Sequence, residues 1–443
     1  MLNRIISLAV TLLIGFSSQS QNVLTLDRSL QLALSHNHDL HIARLDAQQA
    51  ENNATFGNAG RLPAITASAG TNYSNQNSNL KFATGQTQDV EGAESLSQNL
   101  SVGISQVLFA GGRIQRSYQL LKYANEAASL KEKQALESTI AQVWSQYTAV
   151  SLLQRSVFIA NENFSISKNR FEKARLTNEL GGSNSTEFMA AQVDMNRDRV
   201  ELMEAKTQLE SAKNSFASFI GYDQEYLVAD ETTLNLEQEF DESETLAIMY
   251  AGNTSVRLAT ISSETALVQQ QLQNATLFPT VSAQAAYGIN QSQAEAGFLT
   301  ASQQNGLNTG INLEYAIFNG FQSRTQRQNS KLEVLKAEHR QAQTQELLEN
   351  TVKNAVRTFN NAAAVAKIES DNAAVANLRM LKINELYSLG QVSSLEQRQA
   401  QLAWYTAENG KSSAEFRAVN AQIALYQLMG ALVDTIEKND STR

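Results

Sequence analysis

The chain has 443 residues, a formal net charge of -9, no Cys, four His and only two Pro. The acidic balance argues against nucleic acid as a partner. The lack of Cys removes disulfides, thiolate metal sites and an N-terminal lipid anchor together, and no constellation of residues suggests acid–base chemistry, so no enzyme, cofactor or metal is expected.

In chain order, residues 1–20 are expected to be a secretory signal peptide. Arg4 supplies the positive start, Ile5 to Phe16 the apolar run, and Ser18 and Ser20 the small residues ahead of Gln21. About 12 apolar residues are fewer than the roughly 18 to 20 that a spanning helix needs. His36, His38 and His41 with Asp39 have metal-ligand types at suggestive spacing, but at a helix boundary they read as a solvated patch.

The two prolines open matching phrases, Leu62-Pro63-Ala64-Ile65-Thr66-Ala67 and Phe278-Pro279-Thr280-Val281-Ser282-Ala283. Downstream, Phe109 and Phe318, Gly111 and Gly320, Gly181 and Gly390, and Gly221 and Gly430 all repeat at an interval of 209, whereas the prolines repeat at 216. The chain is therefore a tandem duplication with a length change between Pro63 and Phe109, which marks a loop. A period this long is a duplicated folded half rather than a solenoid repeat. The halves are placed at 21–221 and 244–430, with an acidic linker at 222–243 and a C-terminal tail at 431–443.

Each half carries two strand patterns, expected at about 64–74 and 98–108, then at about 280–290 and 307–317. Val281, Ala283, Ala285, Tyr287 and Ile289 alternate with Ser282, Gln284, Ala286, Gly288 and Asn290; Ile311, Leu313 and Tyr315 alternate with Asn312 and Glu314. Ile65, Ala67 and Ala69, and then Leu100, Val102 and Ile104, repeat the pattern in the first half. Such alternation fits an outer-membrane β-barrel, and also an amphipathic hairpin covering helices. Four strands cannot close a barrel within one chain, and an open edge in lipid leaves backbone groups unpaired, so a barrel would have to be shared between copies. Two copies would give eight strands and three would give twelve; the larger count leaves room for a channel.

The strands are followed by very long helical stretches. Residues 113–180 and 321–389 contain neither Gly nor Pro, and a helix of that length reaches about 100 Å. Apolar residues keep a helical step, as at Ile140, Val143, Tyr147, Val150 and Val157, and small residues such as Ala362 to Ala364 allow close, coiled-coil-like packing. Second helices are expected at 183–220 and 391–429. Each half thus ends in a helical hairpin, turned at Gly181 and Gly182 or at Gly390. Gly410-Lys411-Ser412 resembles the end of a phosphate-binding loop, but Tyr405 stands where the first Gly belongs and the segment is helical.

The duplicated layout of short helix, Pro-led strand, loop, strand, Phe–Gly junction and long hairpin, with Tyr387-Ser388-Leu389-Gly390 followed by Ser394, Leu395, Glu396 and Ala400-Gln401, resembles the TolC family of outer-membrane efflux and secretion ducts over the whole mature chain. The resemblance implies a mainly α fold with a membrane β-barrel, assembled as a homotrimer. A twelve-stranded barrel would sit in outer-membrane lipid and join an α-helical barrel crossing the periplasm. The partners implied are a periplasmic adaptor and an inner-membrane pump or ABC transporter, with small molecules or polypeptides as cargo. It also implies that the loops 75–97 and 291–306 face outside. A periplasmic coiled-coil structural or adaptor protein that never enters lipid is the alternative.

At the entrance, the resemblance implies that Tyr387 ties the inner hairpin to its neighbour by bonding Glu187, and that Glu396 belongs to a ring of acidic residues at the narrowest point. Two positions depart from the pattern. Val392 stands where a basic residue would make a second tie, and Gln399 stands where a second acidic ring would form. Glu187 and Glu396 are also suited to stabilising helix starts, Ser-x-Glu being a capping pattern. The remaining positions singled out are the strand starts Pro63 and Pro279 and the strand-to-helix junctions Phe109, Gly111, Phe318 and Gly320.

Overall fold

The computed structural model describes residues 23–180, 185–229, 238–297 and 299–433. The segment expected as a signal peptide, Gly181 and Gly182 lie outside the described residues. In chain order the elements are β1 (Val23–Leu24), α1 (Leu26–His36), α2 (His38–Asn53), β2 (Ala64–Lys81), β3 (Thr87–Phe109), α3 (Arg113–Glu179), α4 (Ser185–Ile220), β4 (Leu227–Val228), α5 (Glu242–Gly252), α6 (Thr254–Asn274), β5 (Thr280–Ala294), β6 (Ala301–Glu314), α7 (Gln322–Ser388) and α8 (Ser394–Met429). They form two compact units. One takes residues up to His41, Gln134–Asn253 and everything from Leu348; the other takes Ile42–Lys133 and Thr254–Leu347.

The second of these units is built on a four-stranded antiparallel sheet in the order β2-β3-β5-β6. Its register puts the alternating residues of all four strands on common faces. Ile65 pairs with Ile104, which pairs with Ala285; Ala67 pairs with Val102, which pairs with Tyr287, which pairs with Leu307. Val281 pairs with Leu313 and Ala283 with Ile311, so one face is mainly apolar, interrupted by Gln106 opposite Ala283, Thr309 opposite Ala285 and Asn305 opposite Ile289. The other face carries Ser68, Ser101, Gly288 and Gly306 in one row, and Ser68 and Ser101 share a hydroxyl hydrogen bond of 2.8 Å. The apolar face is open: Ile65 is 71% exposed, Ile311 75% and Leu313 64%.

The strands depart from their expected bounds. β2 runs to Lys81 and β3 starts at Thr87, and the part of β3 before Ser95 pairs with β2 alone. The segments expected as loops, 75–97 and 291–306, are therefore mostly paired strand: β2 ends at Lys81 and β3 starts at Thr87, while β5 ends at Ala294 and β6 starts at Ala301. A hairpin can lengthen because its strands satisfy one another's backbone groups as they go. The extension, Asn75-Gln76-Asn77-Ser78-Asn79, is polar on both faces and lacks the alternation that marks a half-buried strand. Conversely, β6 ends at Glu314, so Tyr315 to Ile317 are not strand. Glu314 pairs with Thr280; the next position on β5 is Pro279, which has no N–H to continue the ladder.

The first unit buries a core of Leu24, Leu30, Val143, Trp144, Tyr147, Phe216, Ile220, Val228 and Ile423. β1 and β4 pair in parallel, Val23 with Leu227 and Leu24 with Val228. The 222–243 stretch, expected as an acidic linker, thus contributes a strand. A two-residue strand has too little pattern to be seen in sequence, and its place is fixed from α3. The Tyr147 hydroxyl shares its one proton between the carbonyls of Leu24 (3.2 Å) and Ala229 (3.0 Å), while the Gln154 amide donates to the Val228 carbonyl (3.0 Å) and accepts from its N–H (2.8 Å).

Among the described residues, no helix is long and apolar enough to cross a membrane. α3 and α7 each have 67 residues, or about 100 Å at the usual rise per residue.

Candidate functional site

The ends of four helices meet in the first unit, and their local sequences decide how. α7 stops at Gly390, whose φ of 75° only glycine adopts without strain. The Gly390 N–H donates to the Tyr387 carbonyl (3.1 Å) and the Gln391 N–H to the Leu386 carbonyl (2.9 Å), a Schellman pair that satisfies two orphan acceptors. α8 then starts on a capping box. The Glu396 N–H donates to the Ser393 hydroxyl (3.2 Å), and the Glu396 carboxylate accepts from the Ser393 N–H (2.9 Å). The Ser393 N–H and, at 3.0 Å, the Ser393 hydroxyl both donate to that carboxylate and hold the Glu396 carboxyl below the usual carboxylate range. Glu187 occupies the first turn of α4, where a negative charge meets the positive end of the helix dipole.

A cavity of about 610 Å³ lies between these ends, lined by Arg170 and Lys173 from α3, Glu187 and Asp194 from α4, and Tyr387, Val392 and Arg398 among others. Tyr387 and Glu187, paired from the sequence, thus share one cavity. The hydroxyl of Tyr387 is engaged with Ser394, while Glu187 acts on it through charge; burial, ahead of both, pushes the phenol up. Lys173 places its ammonium 4.2 Å from the centre of the Tyr387 ring and donates to the Tyr387 carbonyl at 2.9 Å.

Further along the same helices is a buried charge network. Arg398 donates to both carboxylate oxygens of Asp198, at 2.6 and 2.9 Å, with the side chains 6% and 0% exposed. The Gln401 amide donates to the Asn163 carbonyl (2.8 Å) and side-chain oxygen (2.7 Å), and Arg170 pairs with Asp194 at 2.5 Å. Burial pulls the Arg170 guanidinium down, opposed by the Asp194 charge. The network fastens α8 to α4 and α3. Sequence reasoning missed Arg170, Lys173, Asp194, Asp198 and Arg398. A charged residue in a helix that is polar all round gives no signal of burial; only Arg398, two residues after Glu396 on a hairpin already singled out, stood near a flagged position.

The remaining flagged residues fall elsewhere. Pro63 and Pro279 immediately precede β2 and β5. Phe109 is the last residue of β3, but Phe318 lies beyond β6 and packs edge-on against Phe321, so the two junctions are not equivalent. At Gly111 a side chain would collide with the Ala275 carbonyl at 2.7 Å and with Phe278, and φ is positive as well; at Gly320 φ is 63° with open space around it. Gly410 to Ser412 lie inside α8. The Nδ1 of His36 faces the Leu32 carbonyl (3.1 Å), and the Nε2 of His41 faces that of Ser35 (3.0 Å).

The profile of the outer membrane efflux protein family matches residues 29–222 and 248–431, one stretch for each repeat. The chain belongs to that family. It is an outer-membrane efflux channel, and the resemblance drawn from the duplicated layout holds. No curated protein matches the sequence. Among solved structures, the fold is shared with a membrane protein from Pseudomonas aeruginosa (17% identity, 93% of this chain and 91% of that one, TM-score 0.76). It is shared too with the Campylobacter jejuni CmeC outer membrane channel (16%, 94% and 89%, 0.74) and the open state of the Neisseria gonorrhoeae MtrE outer membrane channel (18%, 92% and 89%, 0.72). The family is one of passive channels, which favours the conduit over the non-membrane adaptor.

Proposed function

We propose that this channel works as a homotrimer whose three sheets close one twelve-stranded barrel in the outer membrane. The helices form a periplasmic tunnel, and the four helix ends around Tyr387 form its entrance, where an adaptor protein and an inner-membrane pump or ABC transporter dock. The observation that carries this reading is the sheet. One face is mainly apolar, with Ala67, Val102, Tyr287 and Leu307 forming a row across all four strands, and its alternation runs over nine residues from Ile65 to Tyr73 in β2 and nine from Val281 to Ile289 in β5, close to the roughly 9 to 11 a tilted strand needs to span a bilayer. Its edges, β2 and β6, have no further strand beside them among the described residues, and backbone edges cannot remain open in lipid.

Arginine at Leu313, on the apolar face, should cost about 2 to 4 kcal/mol near the bilayer midplane and impair assembly, while arginine at Asn312 on the opposite face should not. Equal tolerance of both in membrane-fractionated protein would remove the barrel. At the entrance, Tyr387 and Glu187 hold the closed state and Glu396 contributes negative charge to the constriction. The role of Glu396 in capping α8 is compatible with this, because one oxygen on Ser393 leaves the charge in place. Tyr387→Phe should conduct more than the parent in planar bilayers, and Glu396→Gln should lower cation preference.

A further inference from the structure

α7 ends without a basic residue in its last turn, although the last carbonyls of a helix are unpaired and carry partial negative charge. A cation from another helix stands there instead. The ammonium of Lys173, on α3, is bonded to the Tyr387 carbonyl and lies over the Tyr387 ring. That carbonyl also accepts the Gly390 N–H, so one lysine touches both the residue that ends α7 and the turn that follows it. The neighbouring bonds stay within the α7–α8 pair: Gln397 to Asn384 at 2.9 Å, and Ser394 with Tyr387. α8 is held differently, through the buried Arg398–Asp198 pair and Gln401. Around these helix ends α8 is therefore fastened by buried charges, whereas the end of α7 carries an exposed cation from α3.

We propose that Lys173 is the latch of the entrance, capping α7 from α3 and supplying in this chain the second tie that Val392 cannot make. The proposal rests on the reading of Tyr387 as a gate residue. It makes Lys173 a positioning residue that acts through Tyr387. An exposed ammonium on a carbonyl and a ring face is a modest interaction, as a latch that must open requires.

The test uses the purified, assembled channel in planar bilayers, with Lys173→Met, Lys173→Arg and Tyr387→Phe beside the parent. Lys173→Met should raise the open fraction about three- to ten-fold. Lys173→Arg, which keeps the charge, the donors and the ability to stack, should return it to within about two-fold of the parent. Hydrogen exchange at the Gly390 and Gln391 amides reads the cap without conduction, and should quicken in Lys173→Met and not in Lys173→Arg. An unchanged open fraction in Lys173→Met while Tyr387→Phe opens would overturn the latch and leave the gate standing. No change in either variant would overturn the gate reading itself. If Lys173→Arg behaved as Lys173→Met does, the cation would not be the agent and the proposal would fall.

Discussion

α3 and α7 have the same length and the same place in their repeats, yet α7 leaves more large apolar side chains exposed than α3, where Phe158 and Leu176 stand out. α3 buries Ile140, Val143, Trp144, Tyr147 and Val150 against β1, β4, α1 and α4. α7 leaves Leu332, Leu335, Leu347, Val375, Leu378 and Leu381 more than half exposed. The apolar step is present in both, so the difference lies in what packs on it. The cover of α3 includes Val419 and Ile423 of α8, and α7 buries Val352 and Phe359, the latter edge-on to Phe240, but α7 keeps the larger set of apolar residues on the outside. A helix exposing that many large apolar side chains is an interaction surface, which is the helical counterpart of the open sheet face and supports the sharing of the channel among copies.

The sharpest way to break this comparison is to truncate one residue on each helix. Trp144→Ala should cost about 3 to 5 kcal/mol of folding stability through the lost burial and the cavity left behind. Leu378→Ala should change folding by less than about 0.5 kcal/mol and weaken association between subunits instead. Unfolding in detergent at concentrations where subunits separate, with light scattering for assembly, distinguishes the two. Equal losses of folding stability would mean that Leu378 is covered within its own chain.

A second comparison sets the buried charges of α8 against the exposed cation at the end of α7. Arg398→Ala should cost about 3 to 5 kcal/mol, because it strands Asp198 as an uncompensated buried carboxylate. The double variant Arg398→Leu with Asp198→Leu should recover most of that loss in urea unfolding, since well-packed apolar residues can replace a buried pair. If the double variant were as unstable as the single one, lost packing rather than stranded charge would be the cause.

The smallest effect expected is at the start of α8. The Glu396 carboxyl is held below its ordinary value of 4.5 by its bonds to Ser393. A depressed value in the folded state means that the capping contribution is complete above that ordinary value and is lost as pH falls through the lowered one. Amide exchange over the first turn of α8, compared at matched intrinsic rates, should show fraying in that acid range in the parent. Ser393→Ala should show weaker protection already at neutral pH and a smaller change on acidification.

The sequence by itself determined the duplication, the order of the strands and long helices and the turn between α7 and α8, because each of these is written in local pattern. Period-two alternation marks the strands, unbroken runs without Gly or Pro mark the rods, and Gly390 and Ser393 fix the end of one helix and the start of the next through bonds no more than five residues long. Strand ends were less legible. Where β2 and β3 continue past β5 and where β6 stops depend on which partner is available, as with Pro279 opposite the end of β6. The covering of α3, the strand at Leu227 and the network of Arg398 and Asp198 were decided by tertiary structure alone. Arg398 and Asp198 are 200 residues apart in the chain, and Lys173 and Tyr387 are 214 apart. A charge seeks whichever opposite charge or carbonyl the packed helices bring within about 3 Å, and no periodicity on either helix records that meeting.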